Sequence, residues 1–232
     1  MILSEDDWIA LAISLKVALV ASAASLPLGV AVAWLLARKS FPGKSILNGL
    51  VHLPLILPPV VTGYLLLIWF GRRGPVGQVL HDWFGIVLSF RWTGAVLASA
   101  VMGFPLMVRS IRLSIESLDR GLESAASTLG AGRIQVFRTI TLPLIMPGIV
   151  TGAILSFAKA MGEFGATITF VSAIPGETKT LAAAIYAYTQ VPGGDEGAMR
   201  LTLISVAVSL AALLASELLA RRVQMRAEGR DA

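Results

Sequence analysis

Long apolar runs separated by short polar breaks dominate the hydrophobic pattern of the chain. A spanning helix needs about 20 apolar residues, because the hydrocarbon layer is about 30 Å thick and a helix rises about 1.5 Å per residue. Five runs meet this requirement, and we place them at residues 9–37, 46–70, 93–112, 143–171 and 199–220. The pattern therefore predicts an all-α, polytopic membrane helical bundle with about five transmembrane helices.

Prolines interrupt the second of these runs at Pro54, Pro58 and Pro59. Proline lacks an amide donor and its ring clashes with the preceding turn, so the helix must bend or break here. Within a bilayer, a broken backbone is tolerated only against protein or a water-filled cavity. A packing kink and a break that lines a transport pathway both fit the sequence. On the second interpretation, Pro58, Pro59 and Thr62 are candidate pathway or gate residues.

The composition supports a membrane chain and excludes several kinds of site. Of the 232 residues, 56% are hydrophobic and 14% are charged, whereas soluble domains carry about 25% charged residues. The mean hydropathy is +0.78. The chain contains no cysteine, which excludes disulfides, zinc thiolate sites and cysteine nucleophiles.

Basic residues are unevenly divided between alternate loops, although the net charge is only +5. One set of loops contains Arg38, Lys39, Lys44, Arg109, Arg112, Arg120, Arg133, Arg138, Arg221, Arg222, Arg226 and Arg230. The other set contains Arg72, Arg73, Arg91, Lys179 and Arg200. Because cytoplasmic loops are the more basic ones, we expect residues 1–8 outside and the tail 221–232 in the cytoplasm. This distribution indicates membrane topology, and we expect no nucleic-acid partner.

The longest cytoplasmic connection, residues 113–142, is charged but carries apolar residues at helical spacing. Its apolar stripe consists of Leu118, Leu122, Ala125, Ala126 and Leu129. Glycines at positions 130 and 132 interrupt the stripe before the apolar pattern resumes. The spacing predicts two short amphipathic helices joined at glycine.

The same segment resembles the signature loop of ABC importer permeases. That motif reads Glu, Ala, Ala, three residues, Gly, nine residues, Ile, one residue, Leu, Pro. This chain keeps its register with Ala125, Ala126, Gly130, Ile140, Leu142 and Pro143. Glu123 departs from the motif, because it lies one position before the expected glutamate, where Ser124 stands.

The resemblance implies a type I ABC importer transmembrane fold over residues 9–220, with residues 113–142 as the coupling loop. In this family the loop is a coupling helix that seats in a cleft of a separate ATP-binding subunit. The resemblance therefore implies that this chain is a non-catalytic membrane subunit without a cofactor of its own. ATP and Mg would be bound by the partner subunit. Because two ATP-binding subunits must be engaged and this chain carries one coupling loop, we expect it to pair with a second copy of itself.

Two further passages narrow the resemblance. Residues 54–66, PLILPPVVTGYLL, and residues 162–180, GEFGATITFVSAIPGETKT, are similar to molybdate permeases of bacterial inner membranes. The GEFG passage at 162–165 is also similar to sulfate and tungstate permeases. The implied function is molybdate import from a periplasmic oxyanion-binding protein, with tungstate or sulfate as the alternative substrate. An ion channel or a membrane-embedded enzyme is a more distant alternative.

Two charges, Lys159 and Glu163, lie inside the fourth apolar run. Either charge alone at the bilayer centre would cost about 3 kcal/mol. Their i, i+4 spacing allows them to meet on one helix face. We therefore predict an ion pair, which either fixes helix packing or acts as a gate that exposes Lys159 in one state.

The outer loop between the second and third runs carries Arg72 and Arg73. They lie on the side where positive charge is otherwise sparse and where an anionic substrate would arrive. We therefore consider them candidates for attracting anions or contacting an acidic partner. The tryptophans of this loop are assigned to the interfacial aromatic belt that contacts membrane lipid.

Overall fold

The computed structural model describes residues 4–227, and the regular elements within this range are all helical. The helices are α1 (Glu5–Arg38), α2 (Lys44–Ile56), α3 (Pro59–Phe70), α4 (Pro75–Phe84), α5 (Trp92–Glu116), α6 (Arg120–Thr128), α7 (Arg133–Val136), α8 (Leu142–Met161), α9 (Gly165–Val171), α10 (Leu181–Thr189) and α11 (Asp195–Ala227). A π-helical turn, Phe137–Thr141, joins α7 to α8. The all-α prediction is confirmed. Residues 1–3 of the predicted outer segment and 228–232 of the predicted tail lie outside the described residues.

Four stretches are individually long and apolar enough to cross a bilayer: α1, α5, the run Arg133–Met161 that ends in α8, and Asp195–Ala215 of α11. A fifth crossing is broken. Helices α2 and α3 pass the same test together but meet at an angle of 116°. Counting this pair as one span confirms the expected number of about five.

The break in the second span lies where the prolines predict it. Helix α2 ends at Ile56, and Pro59 occupies the first position of α3. Proline is favourable there, because the first amide of a helix has no intrahelical partner to lose. Pro54 remains inside α2.

The fourth span differs from the prediction of one helix over residues 143–171. Helix α8 ends at Met161, and α9 begins only at Gly165. The physical reason lies in Gly162, a poor helix former, and in Glu163, whose Oε1 accepts a hydrogen bond from the amide of Ala166 at 2.9 Å. Glu163 therefore satisfies an amide at the start of α9 instead of continuing α8.

Helices α1, α5 and α8 form the buried centre of the bundle. Fully buried side chains from all three meet in one cluster, including Leu36, Met107 and Ile145. Small residues permit this close approach. A side chain on Gly152 of α8 would lie 2.9 Å from the backbone oxygen of Met107, as expected for packed membrane helices.

The remaining spans lie around this centre and expose apolar surface. Only 6% of the apolar stretch of α11 is buried within the chain. On α2 and α3, Ile56 is 79% exposed and Tyr64 is 56% exposed. Apolar faces of this size require lipid or another protein chain as their neighbour.

A buried ion pair closes the opposite end of the bundle from the α6–α7 segment. The carboxylate of Asp7 accepts hydrogen bonds from Arg200 at 2.5 Å and from the hydroxyl of Tyr188 at 3.1 Å. These bonds join the start of α1 to α10 and α11. Helix α4 was not predicted, although Pro75 at its first turn and Gly85 after its end are recognised helix signals.

Candidate coupling surface and transport pathway

The candidate coupling segment, residues 113–142, contains α6, which agrees with the first predicted short helix. The second differs from the prediction, because α7 continues through the π-helical turn into α8 as one helical run, Arg133–Met161. Helix α6 begins after Asp119, whose side chain accepts a hydrogen bond from the amide of Gly121 at 2.8 Å. It ends before a tight turn in which Gly130 has φ of +90°. Glycine is favoured at this position because side chains are strained in the left-handed region.

The apolar stripe of this segment packs little on its own bundle, since Leu122 and Leu129 are exposed and Leu118 and Ala126 are only half-buried. None of the residues of α6, a helix described in full, is buried. Leu129 is 89% exposed and Ile134 is 76% exposed. Arg133 and Arg138 line an open cleft beside this apolar surface. Exposed apolar residues flanked by charge are typical of a surface that binds another protein.

The motif residues divide into two groups in the structure. Ala125 and Gly130 are exposed and lie on the outer surface of the segment, whereas Ala126 is half-buried, like Glu123 three positions before it. The other group fixes the segment to the bundle. Ile140 lies in the π-helical turn, and Leu142 and Pro143 are the first two residues of α8.

Glu123 faces the bundle. Its Oε1 accepts a hydrogen bond from the Nη2 of Arg38 at 2.9 Å and another from the hydroxyl of Thr141 at 2.7 Å. Arg38 is the last residue of α1, and Thr141 directly precedes α8. Sequence reasoning missed both partners, since Arg38 lies 85 positions away in the chain.

The predicted contact between Lys159 and Glu163 is present. The Lys159 Nζ lies 2.7 Å from Oε2 of Glu163, and the exposed fractions of the two side chains are 29% and 1%. The carboxylate is thus desolvated, with a lysine on one oxygen and a backbone amide on the other. Of the two side chains, only Lys159 reaches the surface of the protein.

The breaks in the two spans lie against each other. A side chain on Gly165, at the start of α9, would lie 2.7 Å from Cβ of Pro59 at the start of α3. One turn further on, Gly63 approaches the backbone of Ala166 just as closely. Thr62 is 5% exposed, and its hydroxyl has no hydrogen-bond partner among the described residues. The candidate pathway residues of the second and fourth spans are therefore brought into one region.

Arg72 and Arg73 follow α3 and line a cleft of about 590 Å³ together with Tyr64, Ser89 and Phe90. Both arginines are exposed. Phe90 has φ of +59°, an uncommon conformation for a bulky side chain. Among the side chains that the structure describes, no group of three His, Asp or Glu residues is arranged to hold a metal ion.

Residues 25–225 match the sequence model of the family described as binding-protein-dependent transport system inner membrane component. The chain belongs to this family. Over 227 residues it is 59% identical to the molybdenum transport system permease protein ModB of Escherichia coli, covering 98% of this chain and 99% of the relative. The corresponding protein of Haemophilus influenzae is 55% identical, with coverage of 94% and 95%. A sulfate transport system permease protein, CysT of Salmonella typhimurium, is 37% identical, with coverage of 77% and 64%.

The fold of this inner membrane component is that of ABC importer membrane chains. A crystal structure of a bacterial ABC transporter involved in alginate import contains a chain that matches with a TM-score of 0.74 and 19% identity. The match covers 95% of this chain and 80% of that chain. The expected type I transmembrane fold is thereby confirmed, and the chain is a multi-pass membrane protein.

The buried pair of Lys159 and Glu163 is expected to contribute to the stability of the fold. Lys159→Met leaves the Glu163 carboxylate buried without a counter-charge, so we expect a loss of about 3 kcal/mol and a melting temperature lowered by several degrees. The double variant Lys159→Met/Glu163→Gln should recover most of this loss, because glutamine can still accept the amide hydrogen bond from Ala166. Thermal unfolding in detergent measures both effects.

The matched control for this prediction is Lys39→Met, which makes the same substitution at an exposed lysine. We expect this control to unfold at the wild-type temperature. Equal melting temperatures for Lys159→Met and the control would show that the ion pair contributes nothing to stability.

Proposed function

We propose that this chain is the membrane-spanning permease subunit of an ATP-driven molybdate importer in a bacterial inner membrane. The observation that carries the proposal is the similarity to molybdenum transport permeases along almost the whole chain. The broken helices at the bundle surface and the exposed coupling segment support it, because a permease needs a pathway and a point where force is applied. The sulfate permease similarity keeps sulfate, and with it tungstate, as the alternative substrate.

In this proposal, ATP and Mg are bound by a separate subunit, and two copies of that subunit serve one transporter. The coupling surface would dock there. Leu129 and Ile134 would enter an apolar cleft, while Arg133 and Arg138 would pair with acidic groups at its rim. Close approach is favoured by the small side chains of Ala125 and Ala126.

Two copies of the chain would form the pathway between them. Residues 9–220 would act as one transmembrane domain, with residues 1–8 in the periplasm and the tail 221–232 in the cytoplasm. The exposed apolar faces of α2, α3 and α11 would then be shared between lipid and the second copy. A symmetric pair places one coupling segment under each copy, as two ATP-binding subunits require.

The adjoining breaks of α2–α3 and α8–α9 would provide the gate. Pro58 and Pro59 free the backbone at one break, and Lys159 supplies the positive charge nearest to the other. Thr62 would contribute a hydroxyl donor. Movement of α9 against α3 would expose or cover Lys159, which attracts an oxyanion only while it is exposed.

Substrate identity is tested by uptake into vesicles that contain the permease, its ATP-binding subunit and the periplasmic binding protein. We expect ATP-dependent accumulation of molybdate, with strong competition by tungstate, whose anion has the same shape and charge. Sulfate in excess should compete weakly. Competition by sulfate at molybdate-like concentrations would favour the alternative of a sulfate permease.

The coupling surface is tested by Leu129→Glu, which adds an acidic group to the most exposed apolar position of the segment. We expect the ATP-binding subunit to be lost on purification and ATP-dependent uptake to fall at least about tenfold, as for a buried interface position. The control Val191→Glu makes a similar change at a residue that is 53% exposed at the other end of the bundle. Retention of the subunit by Leu129→Glu would contradict the assignment.

Arg72 and Arg73 would receive the oxyanion, or acidic groups of the binding protein, on the periplasmic side. We expect Arg72→Ala/Arg73→Ala to raise the concentration of loaded binding protein needed for half-maximal uptake several-fold, and increasingly so at low salt. Arg91→Ala, also exposed and on the same side, is the control. Unchanged uptake by the double variant across salt concentrations would remove the two arginines from the pathway.

A further inference from the structure

We propose that Glu123 is a positioning residue that ties the coupling helix α6 to the end of α1 and to the start of α8. The three residues Glu123, Arg38 and Thr141 form this contact, which we call the Glu123 tether. Through it, α6 moves with α1 and α8 as one body when the ATP-binding subunits close. The inference rests on the proposed function, since it concerns how ATP-driven movement enters the bundle.

The carboxylate of Glu123 bonds to two neighbours at once. One oxygen of Glu123 receives both hydrogen bonds, 2.9 Å from Arg38 and 2.7 Å from Thr141. The Arg38 side chain is 11% exposed and that of Glu123 is 23% exposed. Hydrogen bonds between charged groups are stronger than neutral ones, and partial burial reduces their screening by salt. This contact therefore resists pulling better than an ion pair at the surface.

An aromatic contact reinforces the same connection. The ring of Trp34, one turn before Arg38 on α1, meets the ring of Phe137 edge-on at 5.6 Å. The guanidinium of Arg38 also lies over Trp34, 5.3 Å from the ring centre. The end of α1 is thus joined to the π-helical turn as well as to α6.

The lack of burial in α6 makes the tether important. With none of its residues buried, α6 has little packing to hold it against the bundle. Its other side-chain hydrogen bonds, from Ser127 and Thr128, stay within the helix. Glu123 therefore supplies the charged link between this helix and the membrane spans.

The π-helical turn, Phe137–Thr141, gives the tether its connection to α8. Short π-helical segments inside helices are often found at functional sites. Thr141 is the last residue of this turn and is 1% exposed. A displacement of α6 would consequently pass through Thr141 into α8 and through Arg38 into α1.

The position of Glu123 explains why it faces inward. Successive residues of an α-helix are rotated by about 100°. A glutamate at position 124, the slot of the importer motif, would point toward the exposed side, where Ser124 now lies. Moving the carboxylate back by one residue turns it toward Arg38. The glutamate that would face outward in the importer motif therefore faces the bundle in this chain.

The first test uses the full transporter in proteoliposomes. For Glu123→Ala and Arg38→Met we expect full retention of the ATP-binding subunit and continued ATP hydrolysis. The amount of molybdate moved per ATP should fall about three- to tenfold, in the range found for residues that couple distant sites. Glu123→Gln, which keeps the acceptor oxygen, should fall less. The double variant should be no worse than either single variant, because both changes break one contact.

The matched control is Asp82→Ala. Asp82 lies 3.0 Å from His81 of the same helix, α4, in an exposed pair outside the coupling segment. We expect this variant to keep the wild-type ratio of molybdate to ATP. Loss of the ATP-binding subunit from Glu123→Ala, with Arg38→Met unaffected, would overturn the proposal and make Glu123 a direct contact of that subunit.

A second test does not depend on the transported anion. Because the chain has no cysteine, spin labels can be placed at Ala31→Cys on α1 and Ser127→Cys on α6 and their distance measured. In the assembled complex, with labelled copies diluted by excess unlabelled copies so that distances between copies are suppressed, we expect one narrow distance distribution. It should be unchanged when ATP is trapped with vanadate and broader in Glu123→Ala. A wild-type distance that shifts on trapping would overturn the tether. Absence of molybdate uptake by the wild-type complex would instead contradict the proposed substrate.

Discussion

Backbone amides and carbonyls inside a bilayer have no water to bond to, so a helix can break there only where protein or a cavity covers the break. This chain breaks two of its spans, after Ile56 and after Met161, and packs the breaks against each other. Glu163 bonds an amide left free at the second break, and Lys159 balances its charge. The centre of α1, α5 and α8 stays unbroken. The chain belongs to a family of binding-protein-dependent transport components, and a transporter requires movable segments beside a rigid centre.

The two faces of α6 differ in what they contact. The outward face of α6 is exposed, while Glu123 on the inward face bonds to Arg38 of α1 and to Thr141, which precedes α8. In the proposed importer, force would enter at Leu129 and leave through Arg38 and Thr141. The subunit would supply the transport pathway and the helix that transmits movement, whereas its partners would hydrolyse ATP and bind the anion first.

Sequence patterns predicted the parts of this structure that depend on local chemistry. Hydropathy located the spans, the prolines located the break near Pro58, and i, i+4 spacing predicted the contact of Lys159 with Glu163. The break at Gly162 was missed because no proline lies close to it, the nearest one before it in the run being Pro147. The partners of Glu123 were missed because tertiary packing, not spacing, brings the end of α1 to α6. Contacts between residues distant in sequence leave no periodic signal.

Transport by an importer subunit requires both this chain and an ATP-binding partner, whereas an ion channel would conduct without the partner. Molybdate uptake from loaded binding protein can be compared between two kinds of vesicle. One contains the purified chain alone, and the other contains the complete transporter with ATP enclosed on the side of the ATP-binding subunits. The proposed mechanism predicts no uptake above that of empty vesicles for the chain alone, and uptake that stops when ATP is withheld from the complete transporter. Molybdate entry through the chain alone would contradict it.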